Sequence, residues 1–491
     1  MNPFDRLPPE IVEQAFECFV LSRDFARAMR LRLVSRLFRD YTDAAIFQLR
    51  LLSQFVGDPR GVHKLPPPHG GYRASWRDYV YSYLACQARR ERFTRSHVGR
   101  VHRAAHALCE GDGDTNEAAI ATCVRSLLRL AVGCRPDILL QGPDTLPLTT
   151  SECTDGDLQD DIDVAAIYLG RTAHVARLVA SKDFALLGWP GKRVLRSSVF
   201  GEAIMAAADG ARGNLEIIKL LLSHMPERYP SSSVKPVDCA LGIILYRAAR
   251  CGDQALFDFA LDSMSHPSLS ILDGALITPW PKNFERAAGL IAMRSKSRAP
   301  NPSAWLACSA AVGNVELVRY FLDRVRCPLS RPLLKAIEGR SDVVVQMLLD
   351  AGAQPIITCT SPRAGGGRPS LLRIAAWKCS VAIAKMLLDR GADPNEGTPP
   401  PIVVAVYKEH LAMFRLLQEY GARLDTPETG GCAMAVAKQH GLHSMVQVLI
   451  REGVSEDISG VKTRVWGRDE LYRGLECKST SRAQTNQDGN G

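Results

Sequence analysis

At 491 residues the chain is longer than one compact core usually holds, and its net charge of +9 is modest for that length. No apolar run approaches the roughly 20 residues needed to span a bilayer. Residues 1–8 are polar and proline-containing, unlike a signal peptide, and the fourteen cysteines are scattered with no Cys-x-x-Cys pair. This pattern predicts an intracellular chain with reduced thiols, cytoplasmic and/or nuclear.

The first predicted element starts at Leu7-Pro-Pro-Glu-Ile-Val-Glu-Gln-Ala-Phe16. Pro9 fits the first turn of a helix, where its missing N–H is harmless, and Ile11, Val12, Ala15, Phe16, Phe19 and Val20 then form one apolar face. Downstream stands Arg30-Leu-Arg-Leu-Val-Ser-Arg-Leu-Phe-Arg39. The two stretches together resemble an F-box, a three-helix module that opens with Leu-Pro-x-Glu-Ile and closes with Leu-Val-Cys-Arg-x-Phe or Trp, with Ser35 here in place of cysteine. The resemblance implies docking on the small adaptor of cullin-type ubiquitin ligases through Leu7, Pro8, Ile11, Leu33, Val34 and Phe38. Without that resemblance, the same helices read as a cap over the first repeat.

Pro66-Pro67-Pro68 and Gly70-Gly71 mark a loop after this module, which is bounded at 1–60. Residues 61–159 read as a linker with helical segments near Val98–Leu108 and Ala118–Val132, parted by Gly111-Asp-Gly-Asp114. Six arginines between Arg89 and Arg103 offer either an import or nucleic-acid patch or a solvated helix face. The second is preferred, because no nucleic-acid motif accompanies them. No nucleic acid is therefore expected as a partner.

From about 160 a spacing recurs: a small residue, a helical run, then glycine sixteen positions on, at Ala336/Gly352, Ala375/Gly391, Ala405/Gly421 and Ala437/Gly453. The small residue lets two helices approach, and the glycine ends the second helix in the left-handed conformation. The copy Ser370-Leu-Leu-Arg-Ile-Ala-Ala376, followed by Lys385-Met-Leu-Leu-Asp-Arg-Gly-Ala-Asp-Pro-Asn395, resembles the ankyrin repeat, a unit of about 33 residues. Weaker copies stand at Gly313-Asn314, Gly252-Asp253, Gly213-Asn214 and Gly170, with a degraded one between Ile271 and Met293. Where the family places histidine the chain has Leu334, Arg373, Val403 and Ala435, which predicts a softer stack. Ser361–Pro369 lengthens one connection.

The predicted fold is thus all-α: an ankyrin-like helical solenoid with short hairpin loops at 160–457, holding about eight repeats and one degenerate copy, preceded by the small F-box-like module. A largely disordered tail is predicted at 458–491.

Chemistry has little support. Asp112-Gly-Asp114-Thr-Asn116 begins like a calcium loop but has Glu117 and Cys123 where glycine and glutamate are needed. Gly365-Gly366-Gly367 lacks the lysine and hydroxyl of a phosphate cradle. No enzyme, cofactor or metal is predicted. The expected product is a protein-binding surface on a monomer: a substrate-recruiting adaptor of a ubiquitin ligase, or a scaffold or sequestering protein with no link to ubiquitin. In ankyrin-like units the two residues after the paired small positions face the concave groove, here Glu338 and Gly339, Trp377 and Lys378, Tyr407 and Lys408, Gln439 and His440. Exposed Trp377 and Tyr407 beside two lysines would suit a partner with an apolar anchor and an acidic rim.

Overall fold

The computed structural model describes residues 7–22, 25–32, 34–52, 74–90, 96–134, 139–140, 155–181, 184–187, 193–210, 215–225, 235–265, 270–278, 280–294, 302–355 and 370–458. It divides into two compact units, Met1–Gly274 and Ala275–Gly491. Leu33, Gly213-Asn214, the Ser361–Pro369 insertion and the 459–491 part of the predicted tail lie outside the described residues. Among the described residues no helix is long and apolar enough to cross a membrane.

The first unit opens with α1 (Pro9–Leu21), α2 (Phe25–Leu31) and α3 (Arg36–Gln48). Val12, Phe16 and Val20 recur every four residues and are buried, while Ile11 and Phe19, counted with them on the apolar face, are exposed. Phe16 packs edge-on against Phe38 at 5.0 Å and stacks on Tyr41 at 5.3 Å, which closes α3 on α1. Ser35, the departure from cysteine, caps α3: its Oγ accepts the Phe38 amide at 3.2 Å.

The described helices of the stretch expected to be a linker pack on their neighbours. In α4 (Ala74–Arg90), the Tyr79 hydroxyl donates to Asp43 Oδ1 at 3.0 Å, and Arg32 reaches the same oxygen at 2.7 Å while lying over the Tyr79 ring. Burial pushes the Asp43 carboxyl above its usual range, and Arg32 opposes the rise. Next come α5 (His97–Gly111) and α6 (Glu117–Cys134), then α7 (Asp155–Tyr168) and α8 (Thr172–Ser181).

Arg100 corrects the solvated-face reading of the arginine stretch. Its Nε donates to Asp161 Oδ2 at 2.7 Å, Nη1 to Ser198 Oγ at 2.9 Å and Nη2 to the Asp157 carbonyl at 3.3 Å, tying α5 to α7. Arg89 and Arg90 are exposed as expected.

Among the described residues two brief ladders interrupt the helices: β1 (Phe184–Ala185) runs parallel to β2 (Arg193–Val194), and β3 (Arg196–Ser197) antiparallel to β4 (Gly201–Glu202). Ser197 shapes the second, its Oγ accepting the amides of Val199 and Phe200 while donating to Asp161 Oδ1 at 2.7 Å. Helices α9 (Ala203–Asp209), α10 (Leu215–Ser223), α11 (Pro236–Cys251) and α12 (Gln254–Asp262) follow, and α13 (Ser270–Ala275) lies at the division between the units.

Among its described residues the second unit holds α14 (Pro281–Arg294) and five helix pairs: α15 (Pro302–Val312) with α16 (Val315–Arg324), α17 (Ser330–Gly339) with α18 (Asp342–Asp350), α19 (Leu371–Trp377) with α20 (Val381–Asp389), α21 (Pro401–Tyr407) with α22 (Leu411–Glu419), and α23 (Cys432–Gln439) with α24 (His443–Arg451). A single π-turn, Pro427–Gly431, leads into α23. First helices pack on first helices along the series, and second helices on second from α14 through α22. Such units bury their apolar faces only against one another.

Hydrogen bonding explains the sixteen-residue spacing. The carbonyl of each small residue accepts the amide five positions on, Ser341 from Ala336, Ser380 from Ala375, His410 from Ala405 and Leu442 from Ala437, at 2.8–3.1 Å. Eleven residues later the second helix closes with the same type of bond around Gly352, Gly391, Gly421 and Gly453, all at positive φ. The inner turn also needs a left-handed residue, met by Gly313 and Gly441 but by Arg340, Cys379 and Glu409 in the three pairs between, at φ 59°, 56° and 49°. A side chain there costs about 1–2 kcal/mol, partly offset by the chain entropy that glycine loses. Arg340→Gly is therefore expected to stabilise this unit by about 0.5–1 kcal/mol in denaturant titration. A loss of stability would show that the Arg340 side chain holds the turn.

At the positions where histidine is missing, Leu334 and Val403 are buried and apolar, and Arg373 is buried outright, 1% exposed. Its Nη1 donates to the Thr398 carbonyl at 2.8 Å, which supplies one polar tie there, while Nε and Nη2 have no hydrogen-bond partner among the described residues. Burial pulls its pKa down to about 10.

Candidate functional site

In the second unit each first helix ends one or two residues before its left-handed residue. The side chains just ahead of the turn therefore recur at one place in each pair. These are the predicted groove residues. Trp377 and Tyr407, at the ends of α19 and α21, stack with ring centroids 5.8 Å apart and planes 10° from parallel. His440, after α23, meets Tyr407 edge-on at 5.0 Å. The Lys408 ammonium lies 3.8 Å from the Trp377 ring centroid and 5.8 Å from that of Tyr407.

Glu338 pairs with Lys335 one turn back on α17, Nζ to Oε2 at 2.6 Å. Lys378 is half-buried. Burial holds its ammonium below the usual lysine pKa, Glu338 works against that shift, and Arg340 and Lys335 add to it. Gln439 is exposed. Gly339 contributes no side chain for a steric reason: a Cβ there would stand 2.3 Å from the Ala311 carbonyl oxygen.

The arrangement departs from the sequence reading in one respect. Trp377 and Tyr407 are half-buried rather than freely exposed, because each ring covers part of the other. The sequence reading also missed three contributors. Val312, 56% exposed, occupies the same position one pair earlier, just before Gly313, and Lys335 and Arg340 flank the column. Val312 was legible by extending the spacing upstream. The two cations were not, since their place depends on how α17 and α19 stack.

The six residues proposed for adaptor docking fall differently. Leu7, Ile11 and Val34 are 46%, 48% and 63% exposed, and Pro8 is exposed at the N-cap of α1. Phe38 is half-buried against Phe16 and serves the module's own core.

No protein-family model matches the chain. It is 30% identical over 167 residues to the "Ankyrin repeat and KH domain-containing protein CBG24701" of Caenorhabditis briggsae, covering 32% of this chain and 6% of that protein. It is 26% identical over 181 residues to the "Phosphocholine transferase AnkX" of Legionella pneumophila, covering 35% of this chain and 18% of that one. The chain thus spans less than a fifth of the length of either relative. Among solved structures, the human ASB11 ankyrin repeat domain is 19% identical, with a TM-score of 0.30 over 37% of this chain and 85% of that one. Helix pairs closed by recurrent left-handed turns, together with these partial sequence similarities, support an ankyrin-like repeat array in the described residues.

Proposed function

We propose that the chain is a non-catalytic, substrate-recruiting adaptor of a cullin-type (SCF) ubiquitin ligase. In this reading the α1–α3 module docks on the small ligase adaptor, the repeats hold a target protein, and the chain works in the cytoplasm and/or nucleus. The observation that carries it is where apolar surface is left uncovered. Of the ten large hydrophobic residues exposed among the described residues, five (Leu7, Ile11, Phe19, Leu21 and Val34) lie in the first 34 positions. Apolar surface concentrated in so short a stretch supports an interaction site there. Three of the five also carry the F-box resemblance.

The competing reading is a scaffold or sequestering protein whose N-terminal helices only cap the stack. It draws on the Arg32–Asp43–Tyr79 contact that joins those helices to α4. Capture of the full chain by purified ligase adaptor separates the two. Ile11→Ser with Val34→Ser is expected to weaken capture at least tenfold while the unfolding transition stays put, since both side chains are exposed. No capture by the unmutated chain would leave the scaffold reading.

A further inference from the structure

The Trp377–Tyr407 column has an unusual occupant. An aromatic pair beside a groove offers its electron-rich ring faces to cations, and a trimethylated or free lysine from a partner is what such a pair ordinarily takes. Here the face of Trp377 already carries the chain's own Lys408 ammonium, 3.8 Å from the ring centroid. Lys335, Arg340 and Lys378 stand close by, three cations against one carboxylate, Glu338, which is paired to Lys335 and also acts on Lys378. Glu409, next to Lys408, accepts a hydrogen bond from Ser444 Oγ at 3.1 Å. The column therefore presents positive charge beside partly covered aromatic surface.

We propose that this column is a receptor for an acidic peptide segment. A carboxylate of the partner pairs with Lys408 and Lys378 while an adjacent apolar side chain packs on the uncovered parts of Trp377 and Tyr407. Two physical reasons favour an anion over a cation. A cationic partner group would have to displace Lys408 from the ring and would meet the repulsion of the neighbouring cations. An anion gains from an ammonium already held in place by the ring, so less side-chain freedom is lost on pairing. The apolar neighbour is required because ion pairs at an exposed rim contribute little by themselves, whereas aromatic anchors dominate interface energies. The proposal rests on the repeats being a protein-binding surface and not on any link to a ubiquitin ligase.

The test uses the full chain, immobilised, and a phage-displayed library of random dodecapeptides. Enriched peptides are expected to place Asp or Glu next to an aromatic or large aliphatic residue. A synthetic copy of the most enriched peptide, followed by fluorescence anisotropy, should bind at least tenfold more weakly at high salt. Lys408→Met keeps the aliphatic stem on Trp377 and removes the charge. It is expected to cost at least tenfold in affinity with an unchanged unfolding midpoint, and Lys408→Arg should restore most of the loss. Ile11→Ser with Val34→Ser should not change peptide binding, which keeps this result separate from the ligase question. Enrichment of basic peptides, no enrichment at all, or an acidic peptide that binds Lys408→Met as well as the unmutated chain would overturn the proposal.

Discussion

Asp161→Ala is expected to destabilise the first unit by about 3–5 kcal/mol, the usual cost of removing one partner from a buried ion pair. The Asp161 side chain is fully buried and its Arg100 partner nearly so, at 0% and 7% exposure. Burial pushes the Asp161 carboxyl above its usual range, Arg100 and Ser197 Oγ oppose that rise, and Asp157 adds to it. Without Asp161, the Arg100 guanidinium keeps only Ser198 Oγ and the Asp157 carbonyl, and the Ser197 hydroxyl loses its acceptor while still bound by two amides. Hydrogen exchange should show lost protection in α5 and α7 and none in α19–α22, which belong to the other compact unit. Arg100→Met with Asp161→Leu should recover a large part of the loss, since apolar groups of similar size can replace a buried pair. A change below about 1 kcal/mol for Asp161→Ala would mean that water reaches this pair.

A second large loss is expected at Gly339→Ala, about 2–3 kcal/mol. The added methyl would stand 2.3 Å from the Ala311 carbonyl oxygen and 3.1 Å from its carbon, both backbone atoms that cannot rotate away. Helices α15 and α17 would have to separate, and with them the apolar contacts that join two pairs. Gly391→Ala is the control. Its Cβ would meet nothing within 4 Å, so only the left-handed backbone at φ 84° resists it, at about 1 kcal/mol. Unfolding midpoints of the two variants measure the difference. Equal losses would remove the close-approach explanation for Gly339.

Reading these residues from sequence succeeds where the controlling interactions are local. The sixteen-residue interval is visible because a small residue, a turn closed by a bond to the fifth amide and a glycine stop all lie within one helix pair. Pro9 at the start of α1 and the alternation of buried Val12, Phe16 and Val20 are set by positions four apart. Even so, the left-handed turn persists at Arg340, Cys379 and Glu409, where no glycine announces it, because packing of the flanking helices outweighs the local backbone cost.

Of the candidate site, the sequence by itself determined the register: which side chains recur just before each turn, and so which ones can form a column. Whether they touch was decided by stacking. Trp377 and Tyr407 are thirty residues apart, and their rings meet only because α19 and α21 pack side by side, an arrangement that also brings Lys408 over the indole. The same holds for Arg100, whose acid stands sixty-one positions away, and for Arg373, buried by neighbours and tied to a carbonyl twenty-five residues on. Composition placed the first among solvated arginines because a charged side chain is usually exposed. The tertiary structure buried it because a carboxylate and a hydroxyl converge on it from elements that only the stacked fold brings together.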